Sequence, residues 1–81
     1  MAYVDVIMSA FNEKNRIGSA IESILSQTYD NWRLIVCDDG SKDGTFEVIK
    51  QYEKDNSDKI LAIKNEKNRG LTYTLNRMLK L

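Results

Sequence analysis

The 81-residue sequence contains no histidine. Ser-His-Asp and Cys-His catalysis are therefore excluded within this chain, and so are histidine-ligated metal sites. Cysteine occurs once, at Cys37. No internal disulfide can form, and a reducing compartment is expected. Proline is absent, which leaves few hard breaks between elements. Neither sign of charge is in excess: twelve basic and twelve acidic residues cancel. No electrostatic footprint for nucleic acid is present. No apolar run approaches the roughly 20 residues of a membrane span. No basic-then-apolar leader opens the sequence, so no secretory signal is expected. Chemistry in this chain must rest on carboxylates, amides, hydroxyls and aromatic faces. Its length fits one small domain or a piece of a larger one.

Against these absences one stretch stands out, Leu34-Ile35-Val36-Cys37-Asp38-Asp39-Gly40-Ser41. A short apolar run ending in two acids, a glycine and a serine reads as a buried parallel strand with polar residues at its carboxyl end. Open α/β sheets bind their ligands at that end. The remaining elements follow from pattern. Val4 to Met8 reads as the first strand and Ser9 to Glu13 as the loop after it. Ile17, Ala20, Ile21, Ile24 and Leu25 recur at helical spacing, which predicts a helix from about Arg16 to Gln27 with Asn15 as N-cap. Tyr29-Asp30-Asn31 carries turn chemistry. Trp32 to Cys37 is the second strand. Asp43 is placed to cap a helix whose apolar stripe is Phe46, Ile49 and Tyr52 with Val48 beside it. Asp55 to Asp58 ends that helix, and Ile60 to Ile63 is the third strand. After the polar loop Asn65 to Gly70, Leu71, Leu75, Met78 and Leu79 mark a third helix. The order β-α-β-α-β-α predicts right-handed crossovers and a three-layer α-β-α fold. With strand order 3-2-1 this is half of a doubly wound parallel sheet. The last helix reaches Leu81 without a cap, so residues 1–81 are expected to be the first half of a larger domain.

Several residues admit two readings. Asp38-Asp39-Gly40-Ser41 fits a ligand site or a plain turn. An NAD site would need Gly-x-Gly-x-x-Gly after the first strand, where Ser9-Ala10-Phe11-Asn12-Glu13 stands instead. Phe11 fits either the core or a flat face offered to a base. Asn12 and Glu13 can be site residues or helix-start residues. Cys37 reads as a small buried hydrophobe. Arg69 can meet phosphate or simply be part of a loop.

Taken together, the motifs resemble the amino-terminal half of a family 2 glycosyltransferase with the GT-A, nucleotide-diphospho-sugar transferase-like fold. The first-strand loop is similar to that family's Pro-x-Tyr-Asn-Glu, with Ser9 for proline and Phe11 for tyrosine. Ala20 to Tyr29 matches its Ala-Ile-Glu-Ser-Ile-Leu-x-Gln-Thr-Tyr run. Asp38, Asp39, Gly40, Ser41, Asp43 and Thr45 match its Asp-Asp-Gly-Ser-x-Asp-x-Thr. Asn68, Gly70, Leu71 and Asn76 match a later Asn-x-Gly-Leu pattern, while Thr74 and Leu75 replace its frequent Ala-Arg pair.

The resemblance implies an inverting transfer from a UDP-sugar donor to a glycan or lipid-linked acceptor. A divalent cation, Mn2+ or Mg2+, is expected on an Asp-x-Asp motif beyond Leu81, as is the catalytic base. No metal ligand or catalytic residue is then expected in this chain, which alone should be inactive. The implied nucleotide-sugar site is Ser9, Ala10, Phe11, Asn12, Glu13, Asp38, Asp39, Gly40, Asn68 and Gly70. Phe11 and the Ser9 backbone flank the base, Asp39 accepts a hydrogen bond from it, and Asp38 and Gly40 shape the loop. Uracil offers one N–H at N3, which suits an ionised carboxylate; cytosine offers a lone pair there. The uncovered edge of the Val4 to Met8 strand is expected to favour self-association. The expected location is the cytoplasm, at the membrane face if further sequence anchors the protein. The rival reading is a non-catalytic α/β module for nucleotide binding or partner docking.

Overall fold

Parallel pairing of three short apolar runs generates the fold. The computed structural model describes residues 4–27 and 30–81. Its elements are β1 (Val4–Ala10), α1 (Ile17–Leu25), β2 (Trp32–Asp38), α2 (Thr45–Asp55), β3 (Ile60–Lys64) and α3 (Leu71–Leu79). The sheet has the order β1-β2-β3 and both pairs are parallel, so the expected 3-2-1 arrangement is present. Register places Met8, Val36 and Ala62 in one row, with Ala10, Asp38 and Lys64 in the next row of that face.

Alternation along the central strand β2 gives each sheet face its own core. Leu34 and Val36 point to the face covered by α1 and α2, where they pack with Ile17, Ile21, Ile49 and Ile60. Ile35 and Cys37 point to the opposite face, where Met78 of α3 covers them, with Ile7, Leu61, Ile63 and Leu75 at the margin. β2 is buried along nearly its whole length, as its uninterrupted apolar run requires. Its terminal acid Asp38, and Asp39 just beyond it, are therefore buried at the end where the three loops converge.

Four expectations about the elements change. β1 continues through Ser9 and Ala10, because Ala10 is paired with Asp38 and buried. α1 spans only Ile17–Leu25. Asn15 does not cap it: Arg16 occupies the N-cap position and no side chain closes the turn, the Glu13 carbonyl instead accepting the N–H groups of Arg16 and Ile17. The apolar stripe of α3 is only half as expected: Met78 is buried and Leu75 packs beside it, but Leu71 and Leu79 are 60% and 71% exposed and Thr74 is buried instead. Thr28 and Tyr29, part of the motif run and of the expected turn, lie outside the described residues.

Candidate functional site

Three loops leave the carboxyl ends of the strands, and side chains of the second one bind the other two. In the first loop, Asn12 has φ 52°, a left-handed conformation that asparagine tolerates better than most residues. Its backbone N–H donates to Ser41 Oγ at 2.7 Å, and its Oδ1 accepts the Lys42 N–H at 3.1 Å. Glu13 N–H donates to Thr45 Oγ1 at 2.8 Å and Lys14 N–H to Asp43 Oδ2 at 3.2 Å. Asp43 also accepts the Thr45 N–H at 3.0 Å and the Thr45 hydroxyl, so it serves the start of α2 although Gly44 holds the N-cap position. The hydroxyls and carboxylate of Ser41, Asp43 and Thr45 thus fix the path of residues 12–14.

The third loop is held by Asp39. Its Oδ1 accepts Asn65 Nδ2 at 2.9 Å and the Arg69 N–H at 2.8 Å, and its Oδ2 accepts the Gly70 N–H at 3.0 Å. Burial pushes this carboxyl up, but hydrogen bonds from Arg69, Asn65 and Gly70 outweigh that and hold it below the usual carboxylate range. Asp39 is therefore ionised near neutrality although only 4% of its surface is exposed. Beside it, Asp38 is fully buried; its Oδ2 accepts the Ser41 N–H at 3.0 Å, while its Oδ1 has no partner among the described residues. The turn reading of this stretch is realised at Asp38, which accepts the Ser41 N–H, and Asp39 reaches across to the next loop.

The ten residues singled out from sequence do converge at this end of the sheet, with different exposures. Ala10, Asp38, Asp39 and Gly40 are buried, and Ser9, Glu13 and Gly70 half-buried. Asn12 and Asn68 are exposed, and Phe11, 44% exposed, is not a core residue. Gly40 carries the backbone of the third loop directly on it: a Cβ there would lie 2.4 Å from the Lys67 carbonyl carbon. Three residues that pattern alone did not single out complete the network. Asn65 Nδ2 also donates to Thr74 Oγ1 at 2.8 Å, and Arg77 Nη1 donates to Asn65 Oδ1 at 2.6 Å and to the Lys64 carbonyl at 2.8 Å. Arg69 stacks on Tyr73, its guanidinium 5.3 Å from the ring centre. No group of three or more His, Cys, Asp or Glu side chains that could hold a metal ion exists among the described residues. Asp39 and Asp43 are engaged with backbone amides and Asp38 offers one free oxygen, so this donor set does not fit a divalent cation.

Residues 5–81 match the family described as Glycosyl transferase family 2. The chain belongs to glycosyltransferase family 2. Among its relatives, the EpsE protein of Bacillus subtilis (strain 168), to which a glycosyltransferase function is ascribed, is 49% identical over 76 residues, covering 94% of this chain and 27% of that protein. The Escherichia coli UDP-Glc:alpha-D-GlcNAc-diphosphoundecaprenol beta-1,3-glucosyltransferase WfaP is 40% identical over 81 residues, covering 100% of this chain and 31% of its own length. The mannosyltransferase PcManGT of Pyrobaculum calidifontis, solved in complex with GDP-Man and Mn2+, superposes with a TM-score of 0.88 at 26% identity, over 95% of this chain and 23% of that one. The chain thus spans about a quarter to a third of the proteins it matches. In family 2 terms, the welded loops belong to part of a GT-A-like domain.

Proposed function

We propose that this chain is the nucleotide-binding part of an inverting glycosyltransferase that moves a sugar from a UDP-sugar to an acceptor hydroxyl. The observation that carries this reading is Asp39: a buried, ionised carboxylate at the carboxyl end of the central strand, held by N–H groups of Asn65, Arg69 and Gly70 with the Thr74 hydroxyl also beside it. A carboxylate offers about four lone-pair sites, and Oδ2 accepts one protein N–H, that of Gly70. Uracil N3–H fills one acceptor site. Cytosine, which has no hydrogen at N3, would set a lone pair against the charge. Phe11, standing open on the first loop, supplies a ring face for the base, and the backbone near Ser9 flanks it. Asn68 and Gly70 close the site from the third loop. Asp38 and Gly40 set the shape of the turn beneath.

The relatives' names support the coarser elements of this reading. WfaP is named for UDP-Glc and a lipid-linked diphosphate acceptor, which suits a glycan or lipid-linked acceptor here and work at the cytoplasmic membrane face. No helix of the described residues is long and apolar enough to cross a membrane. A divalent cation, present in the archaeal neighbour, would take its ligands from sequence other than these residues, as would the base that deprotonates the acceptor. The contribution of this chain is then to bind and orient the nucleoside so that the diphosphate leaves in a fixed direction.

Chemical-shift titration of this chain with UDP and CDP tests the reading. UDP is expected to shift amides of residues 9–13, 38–41 and 68–70, with an affinity of about millimolar for half a site, and CDP more weakly. Asp39→Asn is expected to erase that preference. Equal responses to the two nucleotides, or a preference that survives Asp39→Asn, would remove the reading.

A further inference from the structure

Asp39 does not meet its ligand as a free carboxylate. Oδ1 already receives two donors, Asn65 Nδ2 and the Arg69 N–H, and so has no lone pair left. Oδ2 receives one N–H, that of Gly70, so it is the less committed oxygen. The saturation of Oδ1 depends on which way the Asn65 amide faces. An arginine can only donate hydrogen bonds, so Arg77, 2.6 Å from Asn65 Oδ1, forces that oxygen toward itself and the NH2 toward Asp39. The second N–H of the same NH2 is taken by Thr74 Oγ1. With its amide flipped, Asn65 would set a carbonyl oxygen against the carboxylate and lose its bonds to Asp39 and Arg77. Asn65 is 3% exposed, so water cannot replace them.

We propose that Asn65, oriented by Arg77, is a specificity-determining residue: by saturating one oxygen of Asp39 it restricts the site to a base that presents a single hydrogen-bond donor. Uracil presents one, at N3. Guanine presents two side by side, N1–H and the N2 amino group, and pairs with a carboxylate through both oxygens at once. With Oδ1 filled, only one of those two donors finds an acceptor, and the other is left unpaired as the base closes over it. The inference rests on the nucleotide-binding reading above and sharpens it from uracil over cytosine to uracil over guanine.

The test compares UDP and GDP affinities by titration in the unaltered chain, in Asn65→Ala and in Arg77→Met. Asn65→Ala removes one of the two donors on Oδ1 and opens an acceptor site there, while the Arg69 and Gly70 N–H groups keep the carboxylate in place. Arg77→Met, at an exposed position, removes the group that orients Asn65 and leaves the buried core untouched. The unaltered chain is expected to prefer UDP by about tenfold, the worth of one hydrogen bond to a charged group. Asn65→Ala should bring that ratio close to one; Arg77→Met, in which the acceptor-only Asp39 carboxylate still attracts the Asn65 NH2, should lower it by less, and Arg77→Lys, which keeps a donor, should retain most of it. Simple destabilisation would weaken both nucleotides together and leave the ratio alone. If Asn65→Ala does not fold, Arg77→Met carries the test. An unchanged ratio in a folded variant, or equal affinities in the unaltered chain, overturns this inference and leaves the UDP-over-CDP reading standing. No binding of any of the three nucleotides removes both.

Discussion

Gly40 is held by two constraints at once. Its φ of 79° is left-handed, a region that costs most residues roughly 1–2 kcal/mol. Its α-carbon also lies under the backbone of the third loop, at a distance that leaves no room for a methyl group. Gly40→Ala is therefore expected to destabilise the chain by at least about 2 kcal/mol, a fall in Tm of roughly 10 °C for a domain of this size, and to displace the Lys67–Asn68 backbone. Calorimetry with amide shifts of the third loop measures both; a near-neutral variant would mean the two loops are not welded there. Asp39 sets a pH window. Its folded-state pKa is lowered from 3.8, so its stabilisation is complete above the unfolded value and is lost as pH falls through the folded one. Unfolding by acid should thus steepen below about pH 4, and Asp39→Asn, less stable at pH 7, should show a flatter acid limb. A variant with an identical acid limb would show that Asp39 contributes no such linkage. Asp39 also marks how far sequence reading reaches. An acid at a strand end signals a site, but the donors that meet it come from residues 65–70, and no local pattern encodes that pairing. Cys37, read as a buried hydrophobe, is fully buried, and burial raises its thiol pKa.

At the scale of elements, the two edges of the sheet differ. Pairing of the Val4 N–H with the Asn31 carbonyl and of the Asp39 N–H with the Ala10 carbonyl sets the phase of the ladder. The even-numbered residues of β1 then face β2, and Asp5, Ile7 and Ser9 turn their N–H and C=O outward. No strand covers that edge among the described residues. The outer edge of β3 is covered: Ile60 N–H donates to the Asn56 carbonyl, Ala62 N–H to Glu53 Oε2 at 2.8 Å, and Arg77 donates to the Lys64 carbonyl. A carboxylate on an edge amide is a guard against pairing with another chain. Self-association of this chain is accordingly expected at β1, and Ser9→Pro should suppress it. Proline at position 9 removes an outward donor and breaks no ladder bond, which also gives a physical reason for the proline common at this position in the family. Sedimentation of the two proteins at matched concentration reads the outcome; association undiminished in a folded Ser9→Pro chain would exclude the β1 edge. The strands, their order and the α1–α2 face were legible because apolar runs and 3.6-residue spacing report burial directly. The α3 stripe was legible only in part. Of Leu71, Leu75, Met78 and Leu79, Met78 is buried and Leu75 packs at its margin, but Leu71 and Leu79 are exposed and Thr74 faces the sheet in their place. Thr74 is buried because its hydroxyl meets Asn65, and a buried polar network leaves no trace in a hydrophobic pattern.

For the molecule as a whole, the division of labour follows from which groups are still free. Ser41, Asp43, Thr45 and Asp39 are committed to backbone amides of neighbouring loops. Such a platform is preformed, so binding a nucleotide to it requires little ordering. The same commitment takes these acids out of metal binding and proton transfer. This chain alone is therefore expected to bind without turning over. With UDP at about ten times a millimolar dissociation constant, linkage predicts roughly 1.4 kcal/mol of stabilisation, a rise in Tm of about 6–11 °C for a domain of 60–100 residues. UMP should give a similar rise, since on the nucleotide-binding reading Phe11 and Asp39 address the base. Incubation with UDP-sugars, Mn2+ and hydroxyl acceptors should release no UDP above the rate without protein. Binding without turnover would locate the reactive groups in sequence that these 81 residues do not contain. Measurable Mn2+-dependent release of UDP would instead mean that carboxylates assigned here to loop structure leave those partners and act in catalysis, and Asp38, whose Oδ1 is unpartnered, would be the first to replace.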